Sequence, residues 1–382
     1  MIYTGDCLEI LPTLEAESVQ CCVTSPPYYG LRDYGTATWE GGDPGCDHSH
    51  FLGGNGDGDA SAKQVTSGGT QKYQYRDVCP KCCATRIDSQ IGLEASPELY
   101  VAKLVEVFRQ VKRVLRDDGT VWLNLGDSYA NDTKWGGTTG GKHAGGLHGE
   151  PIGRGKRDTG LKAKDLIGIP WRVAFALQAD GWYLRSDIIW HKPNPMPESV
   201  TDRPTKAHEY IFLLTKSARY FYDAEAIKEP ADGGGILRDG FRGEMGAYVN
   251  QQGPQNNSRP SVKRGGFNGK TEAMADTGQN AFRAVTMTRN RRSVWTITTK
   301  PFKEAHFATF PPEIPEICIK AGSRPGDTIL DPFSGAGTTG NVAERLGREY
   351  IGIELNPAYA DMGEKRIEAA RLPLFREATP CA

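Results

Sequence analysis

Hydrophobic residues recur with helical or strand spacing in two regions of the chain, separated by long stretches rich in glycine and polar residues. In the first region, the apolar run 19–24 predicts a buried strand, which ends before Pro26 because proline cannot donate to a sheet ladder. Ser96 then caps a predicted helix that continues at helical spacing to Arg116. An acidic turn at 117–119 ends this helix, and we expect a strand at 120–125.

The remaining periodic segments predict alternating helices and strands. In the first region these are a helix at 169–177 and strands at 182–190 and 209–215. In the second they are a helix at 312–321, a strand at 327–331, a helix at 337–346, a strand at 350–354 and a helix at 357–370. This alternation near both ends of the chain predicts a parallel sheet covered by helices on both faces.

Composition and charge add to this pattern. The 382 residues include 46 glycines and 24 prolines, so long irregular segments are expected. The formal net charge is only -1, but basic residues are concentrated in 154–164 and 276–304. Such stretches suit a nucleic-acid backbone, and they are equally typical of solvated loops.

The location of the protein is also predicted from the sequence. The chain has neither a run of about 18 apolar residues nor a basic segment followed by an apolar one near its start. We therefore expect a cytoplasmic protein, whose nine cysteines are thiols or metal ligands rather than disulfides.

A glycine-rich loop follows the predicted strand 327–331 and reads Asp-Pro-Phe-Ser-Gly-Ala-Gly-Thr-Thr-Gly over 331–340. Glycines let the backbone turn sharply and approach a ligand, and Glu354 at the end of the next strand is placed for the hydroxyls of a ribose. The loop lacks the Gly-Lys-Ser/Thr of a phosphate-binding loop, and its Asp-Pro-Phe start is foreign to dinucleotide enzymes. We interpret it as a site for S-adenosylmethionine, with a glycine turn that binds no ligand as the alternative.

A second motif, Ser25-Pro26-Pro27-Tyr28, suits the binding of an exocyclic amine on a planar base. The nitrogen of such an amine is a poor nucleophile because its lone pair is delocalised into the ring. The Ser25 hydroxyl and the Pro26 carbonyl would accept its two hydrogens and favour a tetrahedral nitrogen, while Tyr28 stacks on the base. Alignment with a methyl donor then suffices, without a covalent nucleophile. The alternative is a proline-rich strand end.

Taken together, these motifs resemble those of the amino-group DNA methyltransferases, specific for cytosine N4 or adenine N6, in the β arrangement. In that arrangement the catalytic motif precedes the target-recognition region and the cofactor motif comes last. The similarity covers residues 1–35, 91–225 and 294–370 and rests on segments in the family's order: 5–9, 24–28, 190–197, 202–204, 208–210, 294–295, 306–311 and 331–340. RNA and protein methyltransferases usually place the cofactor motif first, so the order favours DNA.

The resemblance implies an α/β fold, a Rossmann-like S-adenosylmethionine-dependent methyltransferase sheet with circularly permuted motif order and loop insertions. It implies a catalytic half (1–40 and 91–227), an insertion (41–90), a target-recognition insertion (228–300) and a cofactor-binding half (301–372). The loop 131–165 is a second candidate for DNA contact. A non-catalytic DNA-binding protein is an alternative function, which the intact motifs argue against.

The resemblance also implies site residues. The catalytic residues would be Ser25, Pro26, Pro27 and Tyr28. The cofactor would contact Asp6, Phe307, Thr309, Phe310, Asp331, Phe333, Ser334, Gly335, Gly337, Thr338 and Glu354, although Asp6 is equally suited to cap a helix.

The substrate would be double-stranded DNA, and any restriction enzyme would be a separate chain. Serine at the first position of the amine-binding motif 25–28, here called the amine clamp, favours cytosine N4 in this family, with adenine N6 as the alternative. The target base must be flipped out of the duplex, and Tyr28 and Tyr29 are the candidates for stacking on it.

Four further residues suggest a metal site. Cys79 and Cys82 form a Cys-x-x-Cys half-site, which directs two thiolates at one zinc ion. Cys46 and His48 would complete a closed, structural site that holds a stretch poor in apolar residues. His50 in place of His48, and Cys83 in place of Cys82, remain open, as do reduced thiols in a flexible loop. Cys7, Cys21, Cys22 and Cys318 lie in apolar settings and are predicted to be small core residues.

Overall fold

A computed structural model describes residues 1–30, 36–51, 72–74, 78–130, 159–230, 288–299 and 310–371. Most of the loop 131–165, most of the insertion 228–300, and the predicted cofactor residues Phe307 and Thr309 lie outside the described residues. The chain divides into two compact units, one formed by Met1–Tyr222 with Ser293–Ala382 and the other by Asp223–Arg292.

The strands of the described part are, in chain order, β1 (Ile2–Thr4), β2 (Val19–Thr24), β3 (Thr38–Glu40), β4 (Ser49–Phe51), β5 (Lys72–Gln74), β6 (Thr85–Ile87), β7 (Leu115–Leu125), β8 (Tyr183–His191), β9 (His208–Thr215), β10 (Glu229–Pro230), β11 (Thr288–Arg289), β12 (Val294–Thr296), β13 (Thr328–Asp331) and β14 (Glu349–Glu354). The helices are α1 (Cys7–Ile10), α2 (Pro97–Val114), α3 (Ile169–Ala179), α4 (Glu313–Gly322), α5 (Thr338–Arg345) and α6 (Pro357–Arg371), and short 3-10 turns occur at Leu11–Thr13 and Glu225–Ile227. No helix of these ranges has both the length and the apolar character needed to cross a membrane.

The main sheet belongs to the first unit and has the strand order β1-β14-β13-β2-β7-β9-β8-β12. The strands from β1 to β7 in this order run parallel, and β12 is parallel to β8. However, β9 is antiparallel to both of its neighbours, so the sheet is mixed, whereas the alternation of helices and strands in the sequence predicted a parallel sheet. The connection between β8 and β9 contains no helix, and parallel neighbours are normally joined by a helical crossover.

Helices cover both faces of this sheet. Along β7, Leu123 packs in one core cluster with Phe108 of α2. The adjacent Trp122 points to the opposite face because successive strand residues alternate. There it meets α4, where a Cβ added at Gly322 would lie 3.0 Å from the Trp122 indole nitrogen. The predicted Rossmann-like α/β arrangement is therefore confirmed.

The start of β7 differs from the sequence prediction. The helix α2 begins at its predicted cap, where the Ser96 hydroxyl accepts the Leu99 amide at 3.3 Å. It ends at Val114, and the predicted turn at 117–119 lies inside β7. The register with β2 shifts across this segment, which accommodates the extra residues as an irregularity of the strand pair.

The positions of β2 and β13 decide where the two sequence motifs lie. These strands are parallel neighbours, with Cys21 opposite Ile329 and Cys22 opposite Leu330. Parallel neighbours end at the same edge of a sheet, so the loop after Thr24 and the loop after Asp331 meet there. The hydrogen bond between Thr24 and Asp331 spans 307 residues of sequence.

The described part of the second unit is small. Its strands β10 and β11 pair antiparallel, with Glu229 opposite Arg289. The Glu229 carboxylate accepts from Arg289 at 2.8 Å and from Arg292 at 2.6 Å, and the Arg291 guanidinium donates to the Ile227 carbonyl. These arginines of the basic stretch 276–304 therefore have partners within their own unit.

Candidate active site

A buried carboxylate joins the end of β2 to the glycine-rich loop after β13. Asp331, 2% exposed, accepts hydrogen bonds from the Thr24 hydroxyl at 2.6 Å and the Thr339 hydroxyl at 2.8 Å. The amide of Phe333 is a third donor, at 3.1 Å. Burial raises the pKa of Asp331 to about 6, although these hydrogen bonds favour the charged form. Asp331 lines the cavity, and its carboxylate connects the end of β2 with the loop after β13.

The predicted amine clamp faces this loop. The Ser25 hydroxyl lies 3.3 Å from the side-chain oxygen of Asn124, and the Tyr28 hydroxyl lies 3.1 Å from the same oxygen. Because the hydroxyl hydrogen of Ser25 has Asn124 as an acceptor, the Ser25 oxygen can accept a hydrogen bond from a bound amine. The neighbouring loop is held in place by Tyr100, whose hydroxyl donates to the Pro27 carbonyl at 2.9 Å.

Two residues absent from the sequence prediction complete this network. Asn124, 3% exposed, donates to the Tyr210 carbonyl at 3.1 Å and to the Glu209 carboxylate at 3.2 Å. Glu209 also accepts from the Tyr28 hydroxyl at 2.6 Å and forms an ion pair with Lys192. The role of Asn124 could have been inferred from the sequence, because it is an asparagine inside an otherwise apolar strand and buried polar groups need partners.

The two tyrosines considered for base stacking have different surroundings. Burial, and then the adjacent Glu209, raise the pKa of Tyr28 well above its ordinary range, so its phenol stays protonated. Tyr29 is 3% exposed and packs in the core, with its ring centroid 5.6 Å from that of Tyr100. Tyr29 is therefore unsuited to stacking on a flipped base, and Tyr28 remains the candidate.

The glycines of the second loop have two distinct structural roles. Gly335 and Gly337 have positive φ angles of 52° and 71°, which residues with a Cβ rarely adopt. A Cβ at Gly337 would also lie 2.8 Å from the Cα of Gly363, so this glycine permits the close approach of α5 and α6. Gly337 thus supports the loop without lining the cavity.

Glu354 ends β14 next to the loop. One carboxylate oxygen accepts from the Gly335 amide at 2.8 Å and the other from the Asn356 amide at 2.9 Å. Burial raises the pKa of Glu354 above its ordinary value. Each oxygen retains a second lone pair, so the carboxylate can still accept from ribose hydroxyls. Asp6 both caps α1, accepting from the Leu8 amide at 2.8 Å, and lines the same cavity.

These groups surround one cavity of about 300 Å³. The predicted residues that line it are Asp6, Ser25, Pro26, Pro27, Tyr28, Phe310, Asp331, Phe333, Ser334, Gly335, Thr338 and Glu354. Residues absent from the prediction also line it, among them Gln90, Ile91 and Glu209. Apolar walls, with the Glu354 carboxylate at one side and the Ser25–Tyr28 segment at the other, suit an adenosine-based methyl donor next to a planar base.

A second group of side chains has the chemistry of metal ligands. The ligand atoms of Cys46, His48, Cys79 and Cys82 all lie within 4.8 Å of one another. Cys83 is exposed and outside this group, and the His50 side chain lies outside the described residues. Cys7, Cys21, Cys22 and Cys318 are buried, as expected for core residues.

Comparison with known proteins places this geometry in context. The family model described as DNA methylase (N6_N4_Mtase) matches residues 19–365. Type II methyltransferase M.Cfr9I of Citrobacter freundii is 39% identical over 378 residues, which cover 98% of this chain and 90% of that protein. Type II methyltransferase M.SmaI of Serratia marcescens is 40% identical over 371 residues, with 96% and 90% covered. The solved structure of PvuII DNA methyltransferase (cytosine-N4-specific) aligns with 98% of this chain and 92% of its own chain, at 18% identity and a TM-score of 0.48.

Proposed function

The chain belongs to the N6/N4 DNA methylase family, and from this premise we propose that it methylates the N4 amine of cytosine within a specific DNA sequence. The protein is an S-adenosylmethionine-dependent DNA methyltransferase, so the predicted enzyme class, methyl donor and DNA substrate are confirmed. The choice of cytosine and the roles of individual residues are our proposal.

One observation carries the proposal: the amine clamp after β2 and the cofactor loop after β13 face one cavity and are joined by the Thr24–Asp331 hydrogen bond. A base amine at Ser25 therefore lies beside any ligand held by the glycine-rich loop. Catalysis then depends on alignment of nitrogen, methyl group and sulfur, which orientation alone can accelerate strongly.

We assign the clamp roles as follows. The Ser25 hydroxyl and the Pro26 carbonyl accept the two amine hydrogens, and Tyr28 stacks on the flipped base. When bound, the cofactor would supply an electrophilic methyl group to the amine nitrogen and would leave as the neutral thioether. The proton that the nitrogen then releases would pass to water. Asn124 and Glu209 keep the Ser25 oxygen and the Tyr28 ring in position through the contacts described above.

The choice of cytosine N4 rests on Ser25, because serine at this position favours cytosine in the family the chain resembles. Adenine N6 is the competing outcome. We further propose that residues 228–300 read the target sequence. We also propose that the enzyme is of Type II, like its two named relatives, and that any restriction enzyme is a separate chain. The protein would then work in the bacterial cytoplasm, where its DNA substrate is found.

The test uses the purified protein, labelled S-adenosylmethionine and mixed-sequence duplex DNA, followed by nucleoside digestion and mass spectrometry. N4-methylcytosine is the expected product, and N6-methyladenine would overturn the choice of base. The matched control is Ser25→Ala, which should bind the cofactor and form little product. If the wild-type protein binds the cofactor and still methylates no nucleoside in DNA that contains every short sequence, the proposed substrate is wrong.

A further inference from the structure

We propose that Cys46, His48, Cys79 and Cys82 bind one structural Zn²⁺, and that this ion holds one wall of the active-site cavity in place. The ligands come from two segments of the chain about 30 residues apart. They converge without any disulfide among the described cysteines.

Two separations within the group match those of a tetrahedral zinc site. A zinc–sulfur bond of about 2.3 Å and a zinc–nitrogen bond of about 2.0 Å place two sulfurs about 3.8 Å apart, and a sulfur and a nitrogen about 3.5 Å apart. The Cys46 and Cys79 sulfurs are 3.7 Å apart, and the Cys82 sulfur is 3.4 Å from Nδ1 of His48. A disulfide would require about 2.05 Å between sulfurs, so the first pair is not a displaced disulfide.

The backbone around these residues is shaped to bring the ligands together. In the Cys79–Cys82 turn, the Cys83 amide donates to the Cys79 carbonyl at 2.7 Å, and the Cys79 amide donates to the Ala84 carbonyl at 2.8 Å. Gly42 lies so near this turn that a Cβ there would be 2.8 Å from the Cys82 sulfur. These contacts hold Cys79 and Cys82 in a tight turn, with both thiols on the side of Cys46 and His48.

His48 is also held in a specific orientation. Its φ angle of 46° lies in the left-handed region, which is uncommon for a residue with a side chain. Its imidazole stacks on the Trp39 ring, with centroids 4.4 Å apart and planes 11° apart. The stacking fixes the ring plane, so that Nδ1 points toward the Cys82 sulfur.

The ligand set favours zinc and a structural role. Three thiols and one imidazole are soft or intermediate ligands, which suit zinc and do not suit magnesium or calcium. Four protein ligands fill a tetrahedral shell and leave no position open for a substrate or an activated water.

The site is connected to the active site through the strand that follows it. The strand β6 begins three residues after Cys82 and pairs with β3. It leads to Asp88 and then to Gln90 and Ile91, which line the cavity. Asp88 accepts from the Gln90 amide at 3.1 Å and pairs with Arg86 at 2.9 Å. An ion that fixes the two ends of this insertion therefore fixes the wall beside the cofactor.

The first test measures metal by mass spectrometry in the full-length protein, purified without chelators. We expect one zinc per chain. We expect Cys82→Ser to lower the zinc content at least tenfold and Cys83→Ser, the exposed neighbour, to leave it unchanged. Equal zinc loss in both variants, or iron in place of zinc, would overturn the assignment.

A second measurement does not depend on how well the variants fold. The wild-type protein, stripped of metal and titrated with Co²⁺, should give the visible absorption of tetrahedral cobalt and an ultraviolet thiolate-to-cobalt band. Added Zn²⁺ should abolish both bands at one equivalent. A wild-type protein that contains no metal and gives no cobalt spectrum would refute the site. Zinc removal should also weaken S-adenosylmethionine binding several-fold, and unchanged binding would refute the link to the cavity wall.

Discussion

Replacement of Asp331 by asparagine provides a quantitative test of the buried carboxylate between the two loops. Asp331 has a pKa of about 6 against an ordinary value of 3.8, because burial penalises the charged form. For an acid with a raised pKa, the native state binds the proton more tightly than the unfolded chain does. The Asp331 contribution therefore favours folding most at low pH and declines as the pH rises from about 4 to about 6.

The magnitude follows from these two pKa values. The difference between 3.8 and about 6 corresponds to about 3 kcal/mol of unfolding free energy, lost in full above pH 6. Between pH 5 and pH 7.5 the expected loss is about 1.4 kcal/mol, or roughly a tenfold change in the unfolding equilibrium. Asparagine does not titrate, so Asp331→Asn should lack this loss.

Asparagine can also keep the hydrogen bonds. Its side-chain oxygen can accept from Thr24 and from the Phe333 amide, as one Asp331 oxygen does now. Its side-chain nitrogen can donate to the Thr339 hydroxyl, whose own hydrogen has the Val23 carbonyl at 3.3 Å as an acceptor. Asp331→Ala, in contrast, leaves these donors unpaired and should cost about 1–3 kcal/mol for each buried group at every pH.

The assay is urea denaturation without cofactor at pH 5.0, 6.0 and 7.5, followed by tryptophan fluorescence. Titrating groups that do not interact with Asp331 are common to both proteins and cancel in the difference between them. The pKa of Glu354, which the Asp331 charge helps to raise, should fall in the variant and adds to the difference in the same direction. Asp331→Asn should therefore gain about 1.4 kcal/mol relative to the wild type between the two ends of this range. A difference that stays constant with pH would show that Asp331 does not titrate as its burial requires.

Three further substitutions test the site. Ser25→Ala should lower kcat on the order of 100-fold, because one acceptor of the amine is lost, and should leave the Kd for S-adenosylmethionine within about twofold by calorimetry; weaker cofactor binding with kcat retained would contradict the clamp role. Gly335→Val should do the reverse, because φ is 52° there and a branched side chain at positive φ costs about 1–3 kcal/mol. The Kd of this variant for S-adenosylmethionine should rise at least tenfold, while single-turnover methylation at saturating cofactor persists. An unchanged Kd would reject the assignment of the loop to the cofactor. Glu209→Gln should leave the Lys192 charge without its carboxylate partner and destabilise the protein by about 1–3 kcal/mol; a double-mutant cycle with Lys192→Met should then give a coupling of at least about 0.5 kcal/mol, and additive effects would show that the pair is not coupled.

Much of the first unit could be predicted from local patterns. Val19–Thr24, Pro97–Val114 and Thr328–Asp331 form the predicted strand, helix and strand, because apolar periodicity and caps act within a few residues. Elements with weak local signals were missed: β1 has only three residues and gains its place by pairing with β14. The direction of β9 was also missed, since strand direction depends on which partner a strand meets.

The candidate site shows the same division. The motifs 24–28 and 331–340 were recognised from their residues, because the chemistry of an amine clamp and a glycine loop depends on residue type and spacing. Asn124 and Glu209 were not assigned roles, since each acts only through partners distant in sequence, such as Tyr28. The separate duties of the two tyrosines also depend on burial, which places Tyr29 in the core.

By itself, therefore, the sequence determined the types of the strongly periodic elements, the family and the two motifs, all of which depend on local periodicity or residue identity. Only the tertiary structure decided that β2 and β13 are neighbours, that Asp331 connects their loops, and that Cys82 rather than Cys83 lies with Cys46, His48 and Cys79. The physical reason is that hydrogen bonds and metal-ligand distances act over a few ångströms of space, and the pairing of strands determines which distant residues come within that range.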